Sequence, residues 1–425
     1  MKKLLMLGTS KISCEMIRYA KSIGVYTIVA DPHEPKDSIA KQLSDEHWEI
    51  NLADVNALEK KCVEEKVTGV ICGVSEFALK IWMELSKRLG YPCYCTPEAW
   101  HYSEDKDDFK TLCKKTGVRV PTDYYVSPQL TDDEIDKIEF PVVVKPVDQN
   151  GNRGVSYCYN KEELRKAYKY ARSVSKSEKI IIEKMIVGEE WWSSYACVNG
   201  EVRLVALNAM YAQPGEPSNC YTITTTVSSH VNQFIKEVNP QVEKLLKEVG
   251  CRDGFAWVQE MLDKDGNFYI IEMGYRLDGV LMFLPYKELC GYDVVKDLVD
   301  LSLGKKFSIA DMPKGQTGVY KKCGCGMELW VNKSGTIKEI KGLDEMKKIP
   351  GVFVESLVRI GDEIGQYRSC GNILFTTDNC EEMCEMIDKV NRTVSFINEK
   401  GEDIVIKYTN FDYLKKIYND SLKEC

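Results

Sequence analysis

The chain has 425 residues, too many for one compact core, so two or three domains are expected. With 44% hydrophobic and 29% charged residues it reads as an ordinary globular protein, far from the disordered and membrane classes. A net charge of −8 argues against a nucleic-acid partner, which needs a concentrated positive field, and no apolar run reaches the roughly 18 residues of a bilayer span.

The start, MKKLLMLGTSK, is apolar only from Leu4 to Leu7 before Gly8 and Lys11, which predicts a strand and not an export signal. Strand and helix then alternate: KLLMLG, a helix over residues 13–22, VYTIVAD, a helix over 55–65, GVICGV and a helix over 76–89. Such alternation predicts a parallel sheet with right-handed crossovers. Gly8 and Asp31 invite a dinucleotide reading, but the turn Gly8-Thr9-Ser10-Lys11-Ile12-Ser13 has one glycine where three are needed. The domain is therefore expected to be Rossmann-like in architecture and not to bind NAD.

A linker is expected over residues 91–98 and a helix over 105–116, closed by Gly117 and Pro121. Strand PVVVKPV, a glycine turn, strand VSYCY, a helix over 161–174 and strand KIIIEKMI predict an α+β module. Residues 196–210 predict a hairpin turning at Asn199-Gly200. Residues 212–219 predict a loop able to move over a site, 239–249 a helix, and 256–273 a second hairpin. Beyond Leu303-Gly304, short strands and one helix over 381–390 read as a small α+β domain. The seventeen cysteines are scattered and lack C-x-x-C pairs, which predicts reduced thiols and a cytoplasmic location. The pairs Cys93/Cys95, Cys323/Cys325 and Cys380/Cys384 have poor zinc spacing and read as buried small hydrophobes.

Four segments carry chemistry. In AWVQEMLDKDGNFYIIEMGYR, a three-residue turn at Asp265-Gly266-Asn267 would set Glu260 opposite Glu272, both on a face shared with Val258, Leu262 and Ile270. Repulsion and desolvation would then oppose ionisation, a conflict a divalent cation relieves. A two-residue turn would instead pair Gln259 with Glu272. Counting by two from Glu272 brings Gly274 and Arg276 to the same face, where a guanidinium can stabilise phosphoryl-transfer charge. Lys145 ends an apolar strand, which is costly without an anion, and the following DQNGNRG offers backbone N–H groups to phosphates. IIIEKMIVGEE supplies what an adenine slot needs: edge backbone groups for the ring and an acid for the ribose.

In this order the segments resemble the ATP-grasp superfamily, and the resemblance covers the whole chain. It implies three parts: a Rossmann-like α/β domain over 1–95, an ATP-grasp domain of two α+β subdomains over 96–310, and a small α+β domain over 311–425. Lys106 in SEDKDDF and Lys145 are implied to hold ATP phosphates, with Gly151 and Gly154 in the loop that closes over them. Glu183, Lys184 and Ile186 match adenine contacts, Glu190 the ribose-binding acid, Glu260 and Glu272 the magnesium ligands, and Arg276 the arginine that stabilises the intermediate. One departure is plain: Gly274 stands where the superfamily usually has an asparagine ligand. The C-terminal third resembles the closing domain of L-amino-acid ligases and biotin carboxylase. The implied activity is an ADP-forming carboxylate–amine ligation through an acyl phosphate, using ATP and Mg²⁺, or Mn²⁺ in its place, with small-molecule substrates and a homodimeric assembly. Two rivals are a bicarbonate-phosphorylating enzyme of the biotin carboxylase or carbamoyl-phosphate synthetase kind and a nucleotide-binding protein without catalysis. No G-x-x-x-x-G-K-[ST] or kinase motif is present.

Overall fold

The computed structural model describes residues 1–148 and 153–423. At the N-terminal end four parallel strands stand in the order Glu46–Trp48, Tyr26–Ala30, Lys3–Leu7, Gly69–Cys72. Leu4 to Leu7 are all buried, as expected of a parallel sheet covered on both faces. Helix Glu76–Leu89 follows the strand Gly69–Cys72. The Ser75 side chain caps it by accepting from the Ala78 N–H, and Gly90, in the left-handed region at φ 71°, ends it. Its first residue, Glu76, therefore sits beyond the carboxyl end of a parallel strand, where open α/β sheets bind ligands.

Helix Pro97–Glu104 begins at the end of the expected linker and overlaps it at Pro97 and Glu98, with Thr96 as its cap and Pro97 in its first turn. Helix Lys106–Thr116 follows at once, its N–H groups at Asp107 and Asp108 bonded to the Asp105 side chain. A small antiparallel sheet, Ser156–Cys158, Val142–Pro146, Ile180–Lys184, packs with helix Lys161–Val174 around Val142, Val144, Leu164, Ala171 and Ile182.

The main sheet has eight antiparallel strands in the order Phe268–Gly274, Gly254–Asp263, Gly188–Val198, Glu201–Ala212, Tyr221–Thr225, Cys323–Trp330, Ser369–Thr377, Phe353–Ser356. Its hydrogen bonding runs straight across residue 310, because Tyr221–Thr225 pairs with Cys323–Trp330. Helices Cys380–Thr393 and Phe411–Lys423 and a three-stranded sheet of Glu363–Ile364, Gly335–Lys341 and Ser395–Asn398 complete the C-terminal third. The turn at Asn199-Gly200 forms as expected, with Val198 opposite Glu201 and φ of 53° and 83°. Among the described residues no helix is long and apolar enough to cross a membrane. The described cysteines are all free thiols, most of them buried.

Candidate active site

A cleft of about 680 Å³ opens between the small sheet, the main sheet and the start of helix Glu76–Leu89, and is also lined by Tyr408, Asn410 and Tyr413. Its wall includes Lys106, Lys145, Glu183, Lys184, Ile186, Glu190, Glu272 and Arg276, so residues scattered over 170 positions converge on one cavity. Gly154 lies beside it: at φ 83° an added Cβ would stand 2.7 Å from Val174 and 2.9 Å from Pro146. Gly151 lies outside the described residues.

The register of the acid hairpin differs from the expected one. The turn is Lys264-Asp265-Gly266, closed by Gly266 N–H to the Asp263 carbonyl at 3.1 Å and Asp263 N–H to the Asn267 carbonyl at 3.0 Å. The Asp263 carboxylate fastens it by accepting from the Asp265 and Asn267 N–H groups, each at 2.9 Å. Glu260 thus stands opposite Ile270, and the register then shifts so that Gln259 faces Glu272 and Trp257 faces Gly274. Ile271 is the extra residue of the bulge. Trp257, Gln259 and Met261 line the cleft. Glu260 points the other way into the core, fully buried, and takes a hydrogen bond from the Ser193 hydroxyl. Burial pushes its carboxyl well above the usual range, against the opposing hydrogen bonds from Ser193. Glu260 is therefore not a cleft ligand, and Gln259 takes the place opposite Glu272. Gln259 donates its amide N–H to Glu190, whose carboxyl is raised first by burial and also by the charge of Glu272.

At the other end, Lys145 is 6% exposed and pairs with Glu183 at 2.5 Å. Glu183 also holds Lys110 at 2.7 Å, and Lys110 and Lys114 share Asp123. Burial alone would raise the Glu183 carboxyl, but Lys145 and Lys110 outweigh it and hold it low. The group holds three lysines against two carboxylates, leaving one positive charge in excess beside the cleft. Glu183, expected at the adenine, is thus also the fixed counter-charge of Lys145. Lys106 reaches Glu272 at 3.5 Å.

Arg276 donates through Nη2 and Nε to Glu76 at 2.7 and 3.2 Å, and through Nη1 to the Leu277 carbonyl at 2.8 Å. Its guanidinium carbon lies 5.3 Å from the centre of the Trp257 ring. The same indole explains the glycine at 274: a Cβ there would come within 2.3 Å of Trp257 Cε2 and 2.4 Å of Cζ2. The volume a side chain at 274 would need is filled by Trp257, its register partner.

Residues 138–282, which hold the small sheet and the acid hairpin, match the model of the ATP-grasp domain family. This segment is an ATP-grasp domain. The carbamoyl phosphate synthase large chain of Methanosarcina barkeri is 22% identical over 334 residues, 72% of this chain and 30% of that one. The chain spans less than half the length of the curated relatives it matches. L-amino acid ligase from Bacillus licheniformis has a TM-score of 0.76 at 20% identity, covering 96% of this chain and 99% of its own. The biotin carboxylase domain of the Hydrogenobacter thermophilus 2-oxoglutarate carboxylase, solved with MgADP, ADP and bicarbonate, has a TM-score of 0.73 at 19% identity, covering 99% and 94%. These two show that the likeness in fold extends well beyond the ATP-grasp domain.

Several residues around the ATP-grasp domain's cleft escaped sequence reasoning. Glu76, Ser103 and Trp257 line it near Arg276, and Tyr408, Asn410 and Tyr413 reach it from the chain's end. For Glu76 a signal existed, since it follows the strand GVIC and starts a capped helix. The Tyr413 hydroxyl donates to Glu189 at 2.7 Å, a contact across 224 positions with no local signature.

Proposed function

We propose that the chain is an ADP-forming carboxylate–amine ligase that activates a carboxylate as an acyl phosphate at the expense of ATP. One observation carries this reading: two lysines, Glu272, Gln259 and Arg276 all line one cleft, with Gln259 and Glu272 opposite one another in register. Lys184, Ile186 and the apolar side chains of Val143, Met261 and Ile271 suit a purine ring, and Glu190 suits a ribose. Lys145, backed by the surplus positive charge behind it, and Lys106 would take the phosphates.

The donor set fits Mg²⁺, or Mn²⁺ in its place. Glu272 and Gln259 are register partners that both line the cleft and carry hard oxygen donors, and the carboxylates Glu190 and Glu272 repel each other. When bound, the ion neutralises charge on the β- and γ-phosphate oxygens. Glu272 and Gln259 would hold it; Glu260 would not, and position 274 has no side chain to offer. The chain's own groups then do the following. Arg276 orients the carboxylate so that one of its oxygens attacks the γ-phosphorus, the bond to the bridging oxygen breaks, and ADP leaves. An amine then adds to the acyl carbon, Arg276 stabilises the oxyanion, and phosphate departs with an oxygen that came from the carboxylate. The amine's proton passes to the departing phosphate or to solvent.

The likeness to carbamoyl phosphate synthase and to a bicarbonate-bound biotin carboxylase domain favours a second reading in which bicarbonate is the acid. A nucleotide-binding protein without catalysis is the third, and Gly274 is what favours it. ADP release measured with MgATP plus amino acids, plus bicarbonate, or with nothing added separates them. Dependence on a carboxylate and an amine supports the ligase, bicarbonate dependence the second reading, and binding without turnover the third. To the same reading belong the division at residues 95 and 310, a cytoplasmic location, in keeping with the unpaired thiols, and a homodimer.

A further inference from the structure

Helix Lys106–Thr116 carries a lysine every fourth residue, Lys106, Lys110 and Lys114, which stacks the three along one face. Lys106 lines the cleft and Lys114 reaches solvent, whereas Lys110 between them is 2% exposed and is not among the described residues that line the cleft. A buried ammonium is costly unless it is paired, so its partners bear on its role. Lys110 Nζ lies 2.7 Å from Glu183 Oε2, while Lys145 holds the other oxygen, Oε1, at 2.5 Å. An antiparallel bridge sets Asp123 beside Glu183, and Asp123 takes Lys110 on one oxygen and Lys114 on the other, the latter at 2.8 Å.

A triphosphate entering the cleft competes with Glu183 for the ammonium of Lys145. If Lys145 were the only partner of Glu183, taking it would strand a buried carboxylate beside phosphates of the same sign. Lys110 removes that conflict. With Lys110 on the second oxygen of Glu183 and Lys114 on Asp123, the two carboxylates keep two cations after Lys145 has turned to the phosphates. Resting on the ligase reading above, in which Lys145 holds ATP phosphates, we infer that Lys110 is a positioning residue: it neutralises Glu183 from the core side and so frees Lys145 for the triphosphate. Lys110 acts through Glu183 and Lys145 and touches no part of the nucleotide itself.

The test measures equilibrium binding of MgATP and of adenosine by calorimetry, so that the ratio of the two affinities isolates what the phosphates contribute. Lys110→Met is expected to lower that ratio by roughly 30-fold or more, the loss met when one partner of a buried charge pair is removed. In Glu183→Gln the ratio should hold or rise, because no carboxylate then competes for Lys145. In the double variant K110M/E183Q it should stay within about twofold of E183Q, since the charge that Lys110 offsets is gone. Equal losses of MgATP and adenosine in K110M would make Lys110 a mere latch between helix and sheet and overturn the inference. So would a loss in the E183Q background as large as in wild type. If K110M fails to fold, E183Q still decides: a ratio more than tenfold below wild type would overturn the inference. Wild type binding MgATP no more tightly than adenosine would instead strike the ligase reading itself.

Discussion

The two long hairpins of the main sheet use the same device with opposite consequences. In Gly188–Val198 with Glu201–Ala212, the Asn199-Gly200 turn sets pairing from Val198 back to Tyr195, and the register then shifts by one residue before Ser194. In Gly254–Asp263 with Phe268–Gly274, the Asp263-fastened turn sets pairing back to Glu260, and the register shifts by one before Gln259. At the first shift the return strand contributes Leu204, Val205 and Ala206, all buried, all apolar and none lining the cleft. At the second it decides whether the buried acid Glu260 or the carboxamide of Gln259 stands across from Glu272. The first bulge moves no side chain that lines the cleft, and the second chooses one that does.

The comparison breaks most visibly at Glu272. Glu272→Ala should abolish ADP release, by about a thousandfold or more, with an unchanged circular-dichroism spectrum and melting temperature. Undiminished turnover would remove the cleft-facing role of this strand. Gln259→Ala should come next, with kcat/KM for MgATP down by about 10- to 100-fold and a weaker response to titrated Mg²⁺, the range seen when one metal-associated group is lost. Gly274→Asn should mainly cost stability, about 1–3 kcal/mol in a denaturant titration, because the new side chain enters the volume of Trp257. Adding Trp257→Ala should recover part of that cost. Smallest of all, Glu260→Gln should leave ADP release within about twofold and stability within about 1 kcal/mol, since a buried carboxyl that accepts from Ser193 away from the cleft is exchanged for an amide of the same shape that can do the same. An E260Q variant as inactive as E272A would mean that the observed register is wrong.

Much of this architecture could be read from the chain alone, because periodic patterns and caps are local. Helices Glu76–Leu89, Lys161–Val174 and Asn239–Val249 have the expected bounds, each with an apolar stripe and a stop signal or cap. Helix Pro97–Glu104 was not anticipated: its first two residues fall in the expected linker of residues 91–98, and its capped start at Thr96-Pro97 lies inside that linker. Helix Phe411–Lys423 was not anticipated at all, although Leu414, Ile417 and Ser421 form its buried stripe. In the site, Lys106, Lys145, Glu190, Glu272 and Arg276 were legible as ordered motifs. Gln259 appeared only as an alternative, since turn length and bulge position depend on hydrogen bonds at Asp263 that spacing does not encode. Glu76 and the continuity of the main sheet past residue 310 arise from long-range pairing, which leaves no local trace.

The central claim, that a carboxylate is phosphorylated in this cleft, is tested most directly by isotope transfer. A carboxylate substrate labelled with ¹⁸O in both oxygens is supplied with MgATP and an amine, and the released phosphate is analysed by mass spectrometry. The account predicts one ¹⁸O atom in each phosphate and ADP formed in step with amide. Phosphate free of label while ADP accumulates would contradict it.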